Sequence, residues 1–565
     1  MLIDRWVPGV AAARGYDRRW LRSDLVAGLV LAAILVPQGM AYAELAGLPP
    51  VTGLYTTIAC LVGYAIFGPS RVLVLGPDSS VSPLIFAAIA PLLVTNDPGS
   101  AIALAGMLAL LVGLIEIGLG LGKLGFVADL LSSEVQVGYM NGLAITIVVS
   151  QLPKLCGFST DADGFVDELR AWFDHLDATQ AGALAVGLGV LVVLLVLPRV
   201  APKIPAVLVA VAGATIVSAV LDLAAHGVAT VGTLPQGFPK PSLPWTSFSD
   251  VGPLFLAAIG IVLVSLTDTI ATASAFAARR GDELQPNQEM IGIGVANVAA
   301  GFFQGFAVST SGSRTAVAEQ SGAKSQLTGV VGAGLVAILL LFLNSLLSDL
   351  PQSALAGVVI AAALSLANVG ALRRYARIRK SSLLLSLVAT LGVVALGVLQ
   401  GIVVAIFLAI LLFFRRNWWP HGAVLGRTDD SEGWHDVDDI AGAAEEPGIV
   451  VYRWEAPLFF ANAGTFREQI RTLVSERAPR WIVLQCEAIT DIDVTAAEVL
   501  EQLDLELNRV GIHFAFVEMR SRLQDLVERN GLYDTLDRDH FFPTIDAALA
   551  AIRSAGDSGT TPATD

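Results

Sequence analysis

Cysteine is nearly absent. The three in 565 residues, Cys60, Cys156 and Cys486, lie too far apart in sequence for a disulfide framework or a metal-binding spacing. Six histidines are scattered, mostly in loops and the C-terminal part. The sequence also lacks a phosphate loop, an HExxH pair and a GxSxG elbow, so no enzyme, cofactor or metal constellation is expected. Charge is the larger deficit. Asp, Glu, Lys and Arg make up 15% of the chain, against roughly a quarter in ordinary soluble domains. Residues 1–23 are Arg-rich and have no apolar core followed by a small-residue cleavage site, so no cleavable signal is read there. What fills the chain is apolar: 54% hydrophobic residues and a mean hydropathy of +0.68, the composition of a polytopic membrane protein. The net charge of −15 does not call for a basic or nucleic-acid partner. Much of the acid sits in the C-terminal part, including a run from Asp429 to Glu446, and reads as solvated surface.

A helical span takes about 20 apolar residues, fewer where the helix is broken. Fourteen such segments are read at 24–46, 50–68, 77–94, 100–121, 134–152, 180–198, 204–222, 252–277, 287–305, 312–323, 325–348, 353–371, 382–398 and 400–416. Before them, Arg5, Arg14, Arg18, Arg19 and Arg22 alternate with Trp6, Tyr16 and Trp20 in a segment expected to lie at the cytoplasmic interface. Basic residues recur at Arg71, Lys123, Arg199, Lys203, Arg279, Arg280 and Lys324, then from Arg373 to Lys380 and at Arg415 and Arg416. The 153–179 loop instead carries Asp161, Asp163, Asp167, Glu168, Asp174 and Asp177. That alternation predicts both termini inside.

After Trp419 the texture changes. Gly448–Trp454, Trp481–Cys486 and His513–Val517 read as strands, and 464–476, 495–508, 521–530 and 544–553 as helices, together a small α/β domain. The expected organisation is a cytoplasmic N-terminal segment at 1–23, a transmembrane domain at 24–418 and an acidic linker at 419–446. An α/β domain at 447–553 and a disordered tail at 554–565 complete it.

Two short segments echo one another. Leu75-Gly76-Pro77-Asp78-Ser79-Ser80 and Ser311-Gly312-Ser313-Arg314-Thr315 each follow a strand-like stretch, Arg71–Leu75 and Phe306–Thr310, and each opens the third segment of a run of seven. By the topology above they enter the membrane from opposite sides. Paired interrupted helices at matching positions of inverted repeats point to a midplane binding site. Each half-helix N-terminus offers unpaired N–H groups and roughly half a positive charge, which suits an anion.

Several residues can carry chemistry there. Arg314 is too costly to face lipid and is expected beside the proposed site, unless it is locked to an internal carboxylate. Ser313 is read as an anion donor or a helix cap. Asp268 sits mid-span, with Thr272 one turn on along the same face. The pair offers oxygens to Na⁺, or Asp268 carries a proton, or it partners Arg314. Glu44 and Glu116 are the other carboxylates in or near spans. Gln38 and Tyr42 share a helix face beside Pro37 and Gly39, which suggest a kinked or unwound helix.

The residues Leu35-Val36-Pro37-Gln38-Gly39-Met40-Ala41-Tyr42-Ala43 and Gly47-Leu48-Pro49-Pro50-Val51-Thr52-Gly53-Leu54-Tyr55 closely resemble the entry signature of SulP-type anion transporters. Gly68-Pro69-Ser70-Arg71, Asn287-Gln288-Glu289, Ser313-Arg314-Thr315-Ala316-Val317 and Gly322-Ala323-Lys324-Ser325-Gln326-Leu327 continue the likeness. The stretch Asp491-Ile492-Asp493-Val494-Thr495-Ala496-Ala497 looks like part of the STAS domain that these transporters carry. The resemblance spans residues 15–553 and implies a seven-plus-seven inverted repeat divided into core and gate domains. By position it implies substrate contacts from Gln38, Tyr42, Asp78, Ser79, Ser313 and Arg314, and cation coupling at Asp268 with Thr272. It also implies a homodimer and an elevator-like movement. Two residues depart from the pattern. Asp78 stands where many members have an apolar or small residue, and Val494 replaces the phosphorylated Ser of soluble anti-sigma antagonists, leaving Thr495 beside it as a candidate N-cap.

The function expected is secondary uptake of sulfate or a similar oxyanion across the cytoplasmic membrane with H⁺ or Na⁺, and a cytoplasmic partner for the STAS domain. Bicarbonate and dicarboxylates are the rivals within the class. A membrane-anchored signalling scaffold and an anion channel are the alternatives outside it.

Overall fold

The computed structural model describes residues 7–93, 97–125, 132–160, 164–201, 204–428 and 431–557. Arg5, Trp6, Asp161, Asp163, Lys203, Asp429 and residues 558–565 of the tail lie outside the described residues. The chain divides into two compact units, Met1–Ala409 and Ile410–Asp565.

The first unit is helical. A short helix α1 (Pro8–Arg14) precedes α2 (Leu21–Leu45) and α3 (Pro50–Phe67). A two-residue strand β1 (Leu75–Gly76) leads into the short α4 (Ser82–Ile89), followed by α5 (Pro98–Leu121) and α6 (Ser133–Cys156). Then come α7 (Phe165–Asp174), α8 (Ala181–Val200), α9 (Ala206–Val220), the long α10 (Phe248–Arg280) and α11 (Pro286–Phe302). Strand β2 (Ser309–Thr310) leads into the short α12 (Gly312–Gln320). The unit continues with α13 (Leu327–Phe342), α14 (Gln352–Leu366), α15 (Val369–Ile378) and α16 (Lys380–Leu396), and the units divide within α17 (Val398–Trp418). Seven of the described helices are long and apolar enough to cross a membrane by length and composition alone.

Each of the fourteen predicted segments contains one helix, and the third of each seven is the broken one. Helix α2 runs unbroken through Pro37, where an unwound stretch was in question. Three helices, α1, α7 and α15, were not foreseen. Amphipathic α7 and α15 follow the fifth segment of their respective halves, and neither buries a residue fully.

The segments pack as two groups. Helices α2–α5 and α10–α13 contact one another, as do α6, α8, α9, α14 and α16. Glycine makes the close crossings possible in the first group. A Cβ on Gly53 would lie 1.9 Å from the Gly39 carbonyl, and one on Gly294 would lie 2.7 Å from the Gly113 carbonyl. Gly53→Ala is therefore expected to destabilise the protein by about 1–3 kcal/mol through overpacking. Gly118→Ala, at a helical glycine with nothing within 4 Å, is expected to leave the thermal midpoint of the detergent-solubilised protein unchanged or raised. Equal midpoints for the two variants would remove the packing argument.

In the second unit the sheet order is β4 (Ser431–Asp436), β3 (Gly422–Thr428), β5 (Ile449–Trp454), β6 (Trp481–Gln485), β7 (His513–Val517) and β8 (Phe541–Phe542). Pairs from β5 to β8 are parallel and the two at β3 antiparallel. Alternation sets the faces. Val450, Tyr452 and Trp454 join one core with Phe466 of α18 (Ala463–Arg477) and Leu503 of α19 (Val494–Arg509), while Ile449 and Val451 join the other. Helix α20 (Ser521–Arg529) adds Leu523 to the first, and α21 (Ile545–Asp557) adds Ala548 and Leu549 to the second. The expected linker at 419–446 instead holds β3 and β4. Ala423, Val424 and Leu425 are buried there, a short apolar run masked in the sequence by the acids that follow it. Asp493, not Thr495, caps α19 by accepting the Ala496 N–H at 2.8 Å.

Candidate functional site

Strands β1 and β2 pair antiparallel, with Leu75 opposite Thr310 and Gly76 opposite Ser309. This two-residue ribbon brings the starts of α4 and α12 together. Three further bonds fix the crossing: Ser311 N–H to the Val74 carbonyl at 3.1 Å, Val74 N–H to Thr315 Oγ1 at 3.1 Å, and Thr315 Oγ1–H to the Ser311 carbonyl at 2.8 Å. Polar backbone at this depth is satisfied by the partner strand, which is why the break is tolerated inside an apolar unit. Ser311 is the N-cap of α12, accepting the Arg314 N–H at 3.4 Å, and its hydroxyl pairs with Ser313 at 3.1 Å. On the other side, Asp78 Oδ1 accepts from the Ser80 N–H at 2.9 Å and the Ser80 hydroxyl at 2.8 Å.

A cavity of about 710 Å³ opens where these starts meet, between the two groups of segments. The broken segments supply Asp78, Ser79, Ser80, Thr310, Ser311, Gly312 and Ser313 to its wall. Helix α2 supplies Gln38 and Tyr42, α10 supplies Asp268, Ala271 and Thr272, and α6 supplies Gln136 and Met140. The far wall is apolar, with Leu194, Pro198, Val207, Val358 and Leu366 among its residues. Seven of the eight residues singled out from the sequence thus line one cavity.

Arg314 is the exception. It lies in the first turn of α12 as expected, but its side chain is 1% exposed and is not part of the cavity wall. Its Nη1 donates to the Pro77 carbonyl at 2.6 Å, and Nη2 lies 3.6 Å from Asp78 Oδ2. The guanidinium therefore sits behind the third segment, and Asp78 stands between it and the cavity. Gly76 leaves room for it, since a Cβ there would lie 3.1 Å from Nη1. Nε and Nη2 make no hydrogen bond. Asp268 is bound by Gln136, whose Nε2 donates to Oδ1 at 3.1 Å, and not by Arg314. Among the described residues the cavity wall so carries two carboxylates and no Lys, Arg or His.

Gln136 escaped the sequence reading, which placed Ser80, Thr310 and Ser311 at the two breaks without naming them as site residues. A Gln near the start of an apolar span was the available signal for the first, and proximity to the two breaks for the rest. Buried carboxylates hold the surrounding frame, Glu116 and Asp24 among them. Glu116 accepts from Ser265 Oγ at 3.0 Å and Asn297 Nδ2 at 2.7 Å, and Asn297 Oδ1 accepts the Val308 N–H at 2.7 Å just before β2. Asp24, fully buried, accepts from the N–H groups of Lys324 and Ser325 and the hydroxyls of Ser325 and Thr328, tying α2 to the loop after α12. Glu44 faces Lys154 at 4.0 Å, away from the site. Glu116→Gln is expected to retain transport. Its oxygen can take the Asn297 donor and its amide can donate to Ser265, which then bonds the Val308 carbonyl now 3.4 Å away. Glu116→Ala strands the Asn297 amide at about 1–3 kcal/mol and is expected to lower the yield of folded protein. Equal loss in both variants would contradict the framework role.

Two interrupted helices facing a cavity inside a multi-pass helical unit define a membrane transport protein rather than an enzyme. The sulfate permease family profile matches residues 21–389 and the STAS domain profile matches residues 442–548; the chain belongs to the sulfate permease family. It is 42% identical to the probable sulfate transporter of Mycobacterium tuberculosis over 97% of this chain and 98% of that one. A chloroplastic sulfate transporter of Arabidopsis thaliana is 30% identical over 94% of this chain and 81% of its own length. Murine solute carrier 26 family member A9, an anion transporter, has the same fold, with a TM-score of 0.89 and 24% identity over 97% of this chain and 94% of that one. The transmembrane domain of a cyanobacterial bicarbonate transporter superposes with a TM-score of 0.61 at 23% identity, covering 70% of this chain and 98% of that one.

Proposed function

We propose that the protein is a secondary carrier of the cytoplasmic membrane that takes up sulfate or a similar oxyanion with H⁺ or Na⁺, by sliding one group of segments against the other. The observation that carries this reading is the β1–β2 ribbon, which aims the starts of α4 and α12 at one cavity between the groups. First-turn N–H groups and helix dipoles supply a fixed positive field for an anion without a lining cation among the described residues. Tyr42, Ser79, Ser313 and Gln38 add donors, and Arg314 adds charge from behind. Asp268 and Thr272 on one face of α10 take the coupling cation. The names of the relatives favour sulfate. The Lys/Arg distribution supports both termini inside, and a homodimer with a cytoplasmic partner for the STAS domain belongs to the same proposal.

A second reading is favoured by Asp78. Its carboxylate lines the cavity, so bicarbonate, or a dicarboxylate entering singly charged, meets less repulsion than a dianion. Purified protein in liposomes, offered sulfate, bicarbonate or succinate with and without H⁺ and Na⁺ gradients, separates these readings. Concentrative sulfate uptake on one cation gradient is the expected result. Flux of every anion that ignores both gradients would indicate a channel, and no flux at all would favour a scaffold.

A further inference from the structure

Helix α15 joins α14, which contributes Val358, Ala361, Ala362, Ser365 and Leu366 to the cavity wall, to α16. At 3.6 residues per turn its ten residues separate cleanly. Val369, Leu372, Tyr375, Ala376 and Ile378 occupy one half of the helix, and Arg373, Arg374 and Arg377 the other; Arg379 and Lys380 follow directly. None of the five cations makes a hydrogen bond or ion pair with any described residue. No Asp or Glu occurs between Asp349 and Asp429, and Glu134, packed near the start of α16, already accepts from Ser382 at 3.0 Å. The apolar half is also uncovered at its ends, where Val369 and Ile378 are 53% and 69% exposed.

The counterpart in the first repeat sharpens the point. Helix α7 holds the same place after the fifth segment and is equally amphipathic, yet it carries Asp167, Glu168 and Asp174 against one Arg170. By the charge alternation α7 lies on the outer side and α15 on the inner one, where the leaflet carries anionic lipid. The cluster runs against the charge of the whole chain, which is −15.

We infer that α15 binds anionic phospholipid headgroups, with its arginine face on the phosphates and its uncovered apolar residues in the acyl boundary. Clustered Arg and Lys beside a membrane are drawn to anionic lipid, each strengthening binding by about five-fold, and an amphipathic helix adds the burial of its apolar half. The lipid holds α15 at a fixed depth, and through α14 it fixes one wall of the cavity.

The test places the full chain in nanodiscs of phosphatidylcholine alone or mixed with phosphatidylglycerol, and follows amide exchange along α15 with the lipid retained on extraction. Slower α15 exchange in the anionic discs and enrichment of phosphatidylglycerol are expected. The R373Q/R374Q/R377Q variant is expected to lose about a hundredfold of that preference, with α5 and α11 amides exchanging as in the parent to show an intact fold. Equal protection of α15 in both disc types would mean that protein covers it, a second copy or the C-terminal unit, and would overturn the inference. So would protection by inorganic phosphate in zwitterionic discs, which would mark a free-anion site, or an unaltered lipid preference in the triple variant.

Discussion

Replacing Arg314 with Ala is expected to abolish anion uptake in liposomes and to lower the thermal midpoint of the solubilised protein. The guanidinium is 1% exposed and Asp78 sits 3.6 Å from it at the cavity edge. Removing one member of a buried pair leaves an uncompensated charge, at a cost of about 3–5 kcal/mol. It also strands the Pro77 carbonyl, which now accepts at 2.6 Å, and so loosens the turn that carries Asp78 and Ser79 into the wall. A neutralised partner tests this account. Asp78→Asn added to Arg314→Ala is expected to recover much of the lost stability but not uptake, because the positive field behind the site is still gone. Arg314→Lys keeps the charge without the fork that reaches both Pro77 and Asp78, and an intermediate rate is expected. Arg314→Ala protein that binds and transports the anion at parental rates would remove Arg314 from the site.

The reading of the segments from sequence worked because, the two broken ones apart, they are long apolar runs bounded by Gly, Pro or charge, a signal that needs no partner. Helices α7 and α15 were missed for the converse reason. Their apolar residues come in ones to threes between charges, and a window that averages hydropathy erases them. The two breaks were visible as polar stretches at matching places in the halves, and so was the start of α12 near Ser311. The direction of the Arg314 side chain was not, because its partners Pro77 and Asp78 lie more than two hundred residues away. Asp24 shows the same blindness from another angle. An acid at the edge of an apolar segment looks like a boundary marker, and only the fold brings the 324–328 loop onto it. Glu116 was noticed, but its donors Ser265 and Asn297 come from two other segments.

Asp268→Asn is expected to uncouple uptake from its cation gradient while leaving anion binding intact. The carboxylate lines the cavity with Thr272 one turn beyond it, and its Oδ1 accepts from Gln136 Nε2 at 3.1 Å. With Asp78 it makes the wall carry two acids, so an anion entering alone meets repulsion that a cation at Asp268 relieves. The coupling is reciprocal: the cation raises anion affinity by the factor by which the anion raises cation affinity, roughly 5–150-fold for such couplings. An amide at 268 removes the charge permanently. Anion affinity without a gradient is then expected to rise toward the cation-loaded value, while concentrative uptake falls to equilibration. Equilibrium binding of labelled sulfate and uptake by the same liposome preparation read the two effects separately. Thr272→Val identifies the ion. If Na⁺ sits between the Asp268 and Thr272 oxygens, the variant loses Na⁺ stimulation, whereas a proton on Asp268 needs no second ligand and H⁺ stimulation persists. Gradient-driven accumulation that survives in Asp268→Asn would move the coupling site elsewhere, and Asp78, the remaining carboxylate on the wall, would be the next position to neutralise.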